Sequence, residues 1–338
     1  MGMDRDIQDE LTGNETVDWL LEPSNPSVRY LTLKELLGLP ESDGQVMTAK
    51  SNIMTNGPVA EILAQQETEG FWGKPEEFYT DKYKGTVWQL LILAALEADG
   101  ADERIRKACE FILVNSQDRE SGGFSYKGTA NNGGWHSGVI PCLTGNLVWA
   151  LVKFGQAGDP RVQQAISWIT TFQRFDDSDT EPPKVWPYTR YEMCWGRHSC
   201  HMGVAKTLKA LAQIPAEDRS IAVKETLGEA AEFLLKHHIF KKSHDLSRVS
   251  RPGWLKPGFP LMYQTDNLEI LLILTQSGYK DPRMQEAVDV LVSKRNRFGK
   301  WLMENSFNGR MRKNIEVKGK ESKWITLNAL RVIRANTL

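Results

Sequence analysis

Cysteine and histidine are scarce in this chain, yet several of them stand close together. The 338 residues include four cysteines and six histidines. The stretch GRHSCHMGV contains His198, Cys200 and His201, and Cys194 comes shortly before it. Thiolate and imidazole are common ligands of Zn²⁺, and a cysteine beside a histidine can also act as a nucleophile beside its base. A tight structural cluster is the third interpretation, and these few residues alone leave all three open.

Six apolar stretches recur along the chain with nearly constant spacing. Aligned at equivalent residues, successive stretches begin between 57 and 65 residues apart. The aligned residues are Ser27, Gly85, Thr144, His201, Asp266 and Lys323. The stretches are more uniformly apolar than their neighbours, which is typical of helices packed on two sides. Internal repetition of this length predicts a repeated helical unit.

Amphipathic stretches with charged faces alternate with the apolar ones. Two of them begin with Asp-Pro-Arg, at Asp159 and Asp281, which joins an N-cap aspartate to a proline in the first helical turn. Strand signals are nearly absent. The alternation of buried and half-exposed helices therefore predicts six helical hairpins, which either stack as an open solenoid or close into a ring.

The links after the outer helices contain glycine and aromatic residues. QETEGFWG, residues 66–73, has the form Q-x-x-x-G-x-W, and RNRFGKW, residues 295–301, keeps its glycine and tryptophan. These links resemble the QW repeat of the terpenoid cyclase and protein prenyltransferase toroid superfamily. The resemblance implies an all-α fold, an (α/α)6 toroid, with a central cavity whose mouth is built from the N-termini of the inner helices. We therefore expect the helix from Lys323 to pack beside the helix from Ser27 and close the ring.

In this arrangement Cys142 and the pair Cys200-His201 lie at matching places, at the starts of consecutive inner helices. Protein prenyltransferases and lanthipeptide cyclases carry catalytic zinc there, and the order Cys142, Cys200, His201 resembles the lanthipeptide cyclase pattern. The resemblance implies these three residues as ligands of a zinc cofactor with one open position. Each motif has one inserted residue relative to the cyclases. A metal-free Cys–His site and a structural cluster remain alternatives.

Other residues at the same end could transfer protons, complete a metal site or bind substrate. Asp266, at the start of the fifth inner helix, is a candidate general acid, fourth metal ligand or N-cap, and His198 is a candidate base or fourth ligand. Tryptophans in the links would suit an apolar or cationic ligand, and the basic link 310–323 would suit an anionic group. The predicted substrate contacts are Trp135, Trp195, Trp254, Arg310, Arg312 and Lys323.

Composition and charge exclude several classes of partner. The formal net charge of −1 gives no electrostatic basis for binding nucleic acid. No apolar run approaches the ~20 residues of a membrane-spanning helix. The polar N-terminus has no signal-peptide core, and the cysteine spacing does not indicate disulfides, so we expect a cytoplasmic protein. We predict one toroid domain over 1–338, with a flexible polar segment over 1–14.

The resemblance implies an enzyme that acts in a central cavity on an apolar, isoprenoid-like small molecule with a charged end, aided by a zinc–thiolate site. The D-x-D-D motif of squalene and diterpene cyclases is absent from the sequence, so their protonation reaction lacks its usual acid. Two alternatives remain. One is a zinc-dependent peptide-modifying enzyme similar to the lanthipeptide cyclases, and the other is a non-catalytic binding toroid.

Overall fold

A computed structural model of the chain describes residues 14–337. The predicted flexible segment 1–14 lies outside these residues except for Asn14, where the first helix begins. In chain order the helices are α1 (Asn14–Leu20), α2 (Pro26–Leu31), α3 (Gly44–Thr55), α4 (Pro58–Leu63), α5 (Thr86–Ala95), α6 (Glu103–Asn115), α7 (Pro141–Lys153), α8 (Pro160–Phe172), α9 (Glu192–Trp195), α10 (His201–Ala212), α11 (Ile221–Lys236), α12 (Asn267–Gln276), α13 (Gln285–Ser293) and α14 (Lys323–Thr337). A π-helical turn, Thr32–Leu36, continues α2.

The strands are short and lie in the links. They are β1 (Gly128–Thr129), β2 (Gly133–Gly134), β3 (Lys241–Lys242) and β4 (Asp245–Val249). They form two antiparallel hairpins, in which Gly128 pairs with Gly134 and Lys241 pairs with Val249. Within the described residues the fold is therefore built from helices, as the sequence predicts.

Helices α2, α5, α7, α10, α12 and α14 form the inner layer, and their burial explains their composition. Every residue of α5 from Thr86 to Ala94 is buried. The outer helices bury one face only. The two predicted aspartates act as N-caps: the Asp159 carboxylate accepts a hydrogen bond from the Arg161 N–H at 2.8 Å. The Asp281 carboxylate likewise accepts a hydrogen bond from the Arg283 N–H at 2.9 Å. Asp281 caps a 3₁₀ turn, Pro282–Met284, which leads into α13.

The inner helices form a closed ring, which confirms the toroid. Neighbouring helices pack in the order α5, α7, α10, α12, α14, and α14 then packs on α2 and its π-helical turn. At the closure Lys323 Nζ lies 2.7 Å from Glu22 Oε2, and Arg334 donates to the Leu36 carbonyl. The Ser27 hydroxyl donates to the Leu96 carbonyl at 2.6 Å and joins α2 to the end of α5.

The glycine–aromatic links connect outer to inner helices by a repeated set of hydrogen bonds. The indoles of Trp72 and Trp301 are fully buried, and each Nε1 donates to a carbonyl of the preceding outer helix, at 2.8 and 2.7 Å. Each backbone N–H donates to a threonine hydroxyl in the first turn of the next inner helix. The partners are Ile62 and Thr86 in the first link, and Leu291 and Thr326 in the last.

No helix among residues 14–337 has both the length and the apolar character needed to cross a membrane.

Candidate active site

Three cysteines gather at the N-terminal ends of α7 and α10. Cys142 lies in the first turn of α7, after Pro141, and Cys200 is the N-cap of α10. The N–H of Cys200 donates to the carbonyl of Cys194 at 3.2 Å. Burial, followed by the nearby Cys200, raises the pKa of Cys142 to about 12. The Cys142 thiol is therefore protonated at neutral pH, which disfavours both nucleophilic attack and thiolate ligation by this residue.

His201 points away from these thiols. Its ring contacts Phe233, His237 and Trp254, with ring centroids 4.9, 4.1 and 4.9 Å apart. Burial and then His237 lower the pKa of His201 to about 3, so the imidazole is neutral. The physical reason for the divergence is that α10 begins regularly at His201, and successive helical residues project about 100° apart.

The predicted zinc ligands therefore do not form a ligand set. Among residues 14–337 no three histidine, cysteine, aspartate or glutamate side chains are grouped so that they could hold a metal ion. Zinc binding stays a prediction for this protein. Metal analysis of the purified protein tests it directly.

His198 lies on a surface loop, in contact with the acidic stretch DDSDTE, residues 176–181. Its Nδ1 is 3.2 Å from Asp177 Oδ1, its Nε2 contacts the Ser178 hydroxyl, and its side chain is 56% exposed. Asp177 is shared with Lys236, at 2.9 Å, and His237, at 3.4 Å. Burial alone would raise the pKa of Asp177, but hydrogen bonds and these cations outweigh it and lower the pKa to about 2. The cluster ties the loop to α11, and a catalytic role for His198 stays a prediction.

The predicted tryptophan contacts have different surroundings. Trp195 is fully buried against Trp168 and Tyr188, whereas Trp254 packs on His201. Trp135 is 49% exposed, and its Nε1 donates to a threonine hydroxyl of the nearby hairpin. The two buried rings belong to the core, and the third lies on the surface.

The predicted cationic contacts join the basic link to the rest of the ring. The Arg310 guanidinium lies 4.9 Å from the centroid of the Tyr83 ring. Arg312 Nε donates to the Lys84 carbonyl at 2.8 Å, and Lys323 pairs with Glu22. Neither these residues nor the three tryptophans line the central cavity described next. Their role in substrate binding stays a prediction.

A cavity of about 540 Å³ lies inside the ring, and all six inner helices contribute to its wall. Its apolar lining comes from Leu31, Ala95, Trp149, Phe259, Leu261, Leu268, Leu272, Ile273, Trp324 and Ile325. On α5, α7 and α10 the lining residues lie toward the C-terminal ends. The sequence predicted a mouth at the N-terminal ends, but long links fold in there. Phe259, for example, stacks on Trp324 with 4.1 Å between ring centroids.

A buried network of ion pairs stands at one side of the cavity. Lys206 Nζ lies 2.8 and 2.6 Å from the two oxygens of Glu269, and Lys209 Nζ lies 3.0 Å from Oε1. The exposed fractions of the Lys206, Glu269 and Lys209 side chains are 0%, 9% and 15%. Burial raises the pKa of Glu269, but the two ammonium groups outweigh it and lower the pKa to about 2. Glu269 is therefore ionised throughout the physiological pH range.

Asp266, which the sequence analysis proposed as an acid or an N-cap, also lines the cavity. Its Oδ1 accepts from the Glu269 N–H at 2.8 Å and its Oδ2 accepts from the Gly258 N–H at 2.9 Å. These bonds favour the ionised form, yet burial dominates and raises the pKa to about 7. Asp266 is thus both the N-cap of α12 and a carboxyl group that is protonated below neutral pH.

Sequence reasoning missed the two lysines and Glu269, although a signal for them exists. Lys206 and Lys209 interrupt the apolar run of α10, and Glu269 interrupts that of α12. A charged residue on an all-round apolar helix is costly unless it is paired, so such interruptions mark candidate buried networks. What the sequence could not show is that the two helices bring these side chains together beside the cavity.

Fold and site together define a closed helical toroid with a charged, aromatic central cavity. No family model matches the chain, and no curated protein matches it in sequence. Among solved structures, it is similar to a glycosyl hydrolase family 88 protein from Bacteroides vulgatus at 13% identity and a TM-score of 0.49, over 98% of this chain and 99% of that one. It is also similar to the type II terpene cyclase MstE from Scytonema at 14% identity and a TM-score of 0.30, over 86% and 98%. These scores carry no argument about function, and the toroid assignment rests on the helix packing described above.

Proposed function

We propose that this chain is an enzyme that binds a mainly apolar small molecule in the central cavity and protonates it with Asp266. One observation supports this most directly. Asp266 and Glu269 lie three residues apart on the same cavity wall, and their pKa values are shifted in opposite directions, to about 7 and about 2. Enzymes that use two carboxyl groups for different roles separate their pKa values in this way.

The charge of the network determines which end of a substrate it would receive. Below pH 7 Asp266 is neutral, Glu269 is negative, and Lys206 adds a buried positive charge beside Lys209. The cluster then has an excess of positive charge, which favours an anionic group or an oxygen atom that gains negative charge. A general acid with a pKa near the working pH donates its proton efficiently to such an oxygen.

The rest of the wall indicates the substrate class. The lining combines an aromatic and aliphatic part with a charged part, and the volume falls within the range of small-molecule sites. Six helices surround the cavity, which suits a small molecule better than an extended peptide. An isoprenoid-like molecule with an oxygen-bearing end would place its apolar part against the aromatic and aliphatic side chains and its oxygen beside the charged network. This is the substrate class that we propose.

A non-catalytic binding toroid is the second candidate. The charged groups of the cavity wall already have partners: Lys153 pairs with Glu97, Arg331 pairs with Glu35, and Asp266 caps α12. A polar network whose charges are already paired within the protein can serve only to hold the ring together. The two candidates differ in whether a bound ligand is converted.

The test uses three ligands with one apolar body and different ends: farnesol, farnesal and farnesyl diphosphate. Quenching of tryptophan fluorescence reports binding because Trp149 and Trp324 line the cavity, and mass spectrometry of extracts reports products. We expect Asp266→Asn to bind within about threefold of the wild type but to lose about 100-fold or more in turnover. Wild-type turnover should fall as the pH rises through about 7, because the acid must be protonated.

The matched control is Asp159→Asn, which changes an N-cap aspartate on an outer helix that does not line the cavity. Wild-type turnover in Asp266→Asn would contradict the proposal. Binding without conversion between about pH 5 and pH 8 would favour the binding toroid. Failure of all three ligands to quench the fluorescence would reject the substrate class.

A further inference from the structure

Lys209 presents its amine to the central cavity from an unusual setting. Its Nζ lies 3.7 Å from the centroid of the Trp149 ring and 3.0 Å from Glu269 Oε1. The side chain is 15% exposed, and it lines the cavity. A bound molecule can therefore reach this amine, whereas bulk water reaches little of it.

Lys209 shares its only carboxylate partner, Glu269, with a second lysine. Lys206 contacts both oxygens of Glu269, at 2.6 and 2.8 Å. Lys209 contacts a single oxygen at the longer distance of 3.0 Å. On the other side Lys153, which has its own partner in Glu97, lies 5.7 Å from the same Trp149 ring. Lys209 therefore lies between two other cations, and of the two lysines that contact Glu269 it has the weaker ion pair.

The charged groups that face Lys209 from the neighbouring elements act in both directions. Lys206 of α10 and Lys153 of α7 are cations, whereas Glu269 of α12 is an anion, and Asp266 at the start of α12 lines the same cavity. Burial lowers the pKa of Lys209 and Glu269 opposes it, but burial together with the two lysines prevails, and the pKa falls to about 8. At pH 7.5 about a quarter of such amines are neutral, against roughly one in a thousand for an ordinary lysine.

We propose that Lys209 is a nucleophile that forms an imine with an apolar aldehyde or ketone bound in the central cavity. Desolvation and a neighbouring cation are the two devices by which lysines are activated for this chemistry. The inference rests on the proposed use of the cavity by an apolar ligand, and it names a carbonyl group as the reacting end of that ligand.

The reaction balances without a further reactant. The neutral amine forms a bond to the carbonyl carbon while the carbonyl oxygen takes up a proton, for which Asp266 on the same wall is a donor. The nitrogen then returns a proton to Asp266, which donates it to the hydroxyl oxygen, and this oxygen leaves as water while the carbon–nitrogen double bond forms. The nitrogen finally gives its second proton to Asp266, so that in the net reaction both amine protons end in the water and Asp266 is again protonated.

The experiment traps this imine in the wild-type protein. The chain is incubated with decanal and sodium cyanoborohydride at about pH 7.5, where hydride reduces the imine to a stable secondary amine, and peptides are mapped by mass spectrometry. We expect alkylation of Lys209 about tenfold or more faster than that of Lys153, with a pH midpoint near 8. Lys153 is an internal control because it lines the same cavity but has a carboxylate of its own.

Two variants separate the possible causes of failure. Lys209→Met should bind decanal, measured by tryptophan quenching, but should show no adduct on α10, and Lys153→Arg should label like the wild type. Equal labelling of Lys209 and Lys153, or labelling of Lys206 instead, overturns the inference while leaving the proposed acid role of Asp266 intact. Absence of quenching by decanal and by the farnesyl ligands rejects both proposals together.

Discussion

At the scale of single residues, the chemistry of this protein is set by desolvation. Asp266 and Lys209 are shifted toward their neutral forms by burial, to pKa values of about 7 and about 8. Asp177 is half-buried and Glu269 is buried, yet hydrogen bonds and adjacent cations keep both ionised. A buried carboxyl group in this protein is therefore protonated near neutral pH or stays ionised, depending on how many cations and hydrogen-bond donors contact it.

The pKa of Asp266 predicts how stability depends on pH. A carboxyl group whose pKa rises from 3.8 to about 7 on folding contributes stability below pH 4 and loses that contribution as the pH rises through 7. The full loss is on the order of 4 kcal/mol. We expect Asp266→Asn to be less stable than the wild type at about pH 5, and the deficit to shrink or reverse at about pH 8.

Urea unfolding of both proteins across this range checks the prediction. The comparison must be the difference between them, because His201 and His237, whose pKa values are lowered, weaken stability as the pH falls below 6.5 in both. A difference that stays constant from about pH 4 to pH 8 would show that Asp266 does not titrate near 7 in the folded protein.

At the scale of elements, the glycine–aromatic links decide how outer and inner helices meet. Gly70 has a φ of +91°, and a Cβ atom there would lie 2.6 Å from the backbone carbonyl carbon of Lys107. Two separate effects therefore require glycine at this position: the positive φ angle, and the close approach of the neighbouring helix α6. The buried indole of Trp72 follows two residues later and anchors the link to α4.

Gly70→Ala separates these two effects when it is compared with Gly278→Ala. Gly278 has a similar φ of +83°, but no heavy atom lies within 4 Å of its added Cβ. We expect Gly278→Ala to cost about 1 to 2 kcal/mol of the free energy of unfolding through its φ angle alone. Gly70→Ala should cost clearly more, since the backbone of α6 must also shift. Similar losses in the two variants, measured by denaturant unfolding, would mean that the link does not touch α6 in solution.

At the scale of the whole molecule, ring closure turns the last helix into an interior element. Leu327 of α14 is completely buried, as is Leu208 of α10 in the middle of the ring. In an open solenoid the terminal helix would keep one face in water or would need a polar cap. Here α14 packs between α12 and α2 in the inner layer and also contacts the outer helices α13 and α1.

Closure predicts that the ends of the chain are as important for stability as its middle. Leu327→Ala and Leu208→Ala should each cost about 2 to 5 kcal/mol, the usual range for a buried leucine. Each variant should still unfold in one cooperative transition, followed by circular dichroism in urea. A Leu327→Ala loss below about 1 kcal/mol, beside a large loss for Leu208→Ala, would contradict a closed ring in solution.

The helical pattern was readable from the sequence because it depends on local periodicity. The recurring apolar stretches predicted six inner helices, the Asp-Pro-Arg starts predicted N-caps, and the resemblance of the links predicted a toroid; the structure confirms all three. Asp266 could be proposed as an acid because a carboxyl group at the start of a buried helix is visible in the sequence. Its position in the cavity wall is in keeping with that proposal.

Only the tertiary structure decided which side chains share a site. Cys200 and His201 are adjacent in sequence, but a regular helix start sends their side chains in different directions. Lys206 and Glu269 are far apart in sequence, yet α10 and α12 bring them within 2.6 Å. Adjacency in the sequence says little about the direction in which two side chains point. Burial, which sets the pKa values of Asp266 and Lys209, exists only after the ring has closed around the cavity.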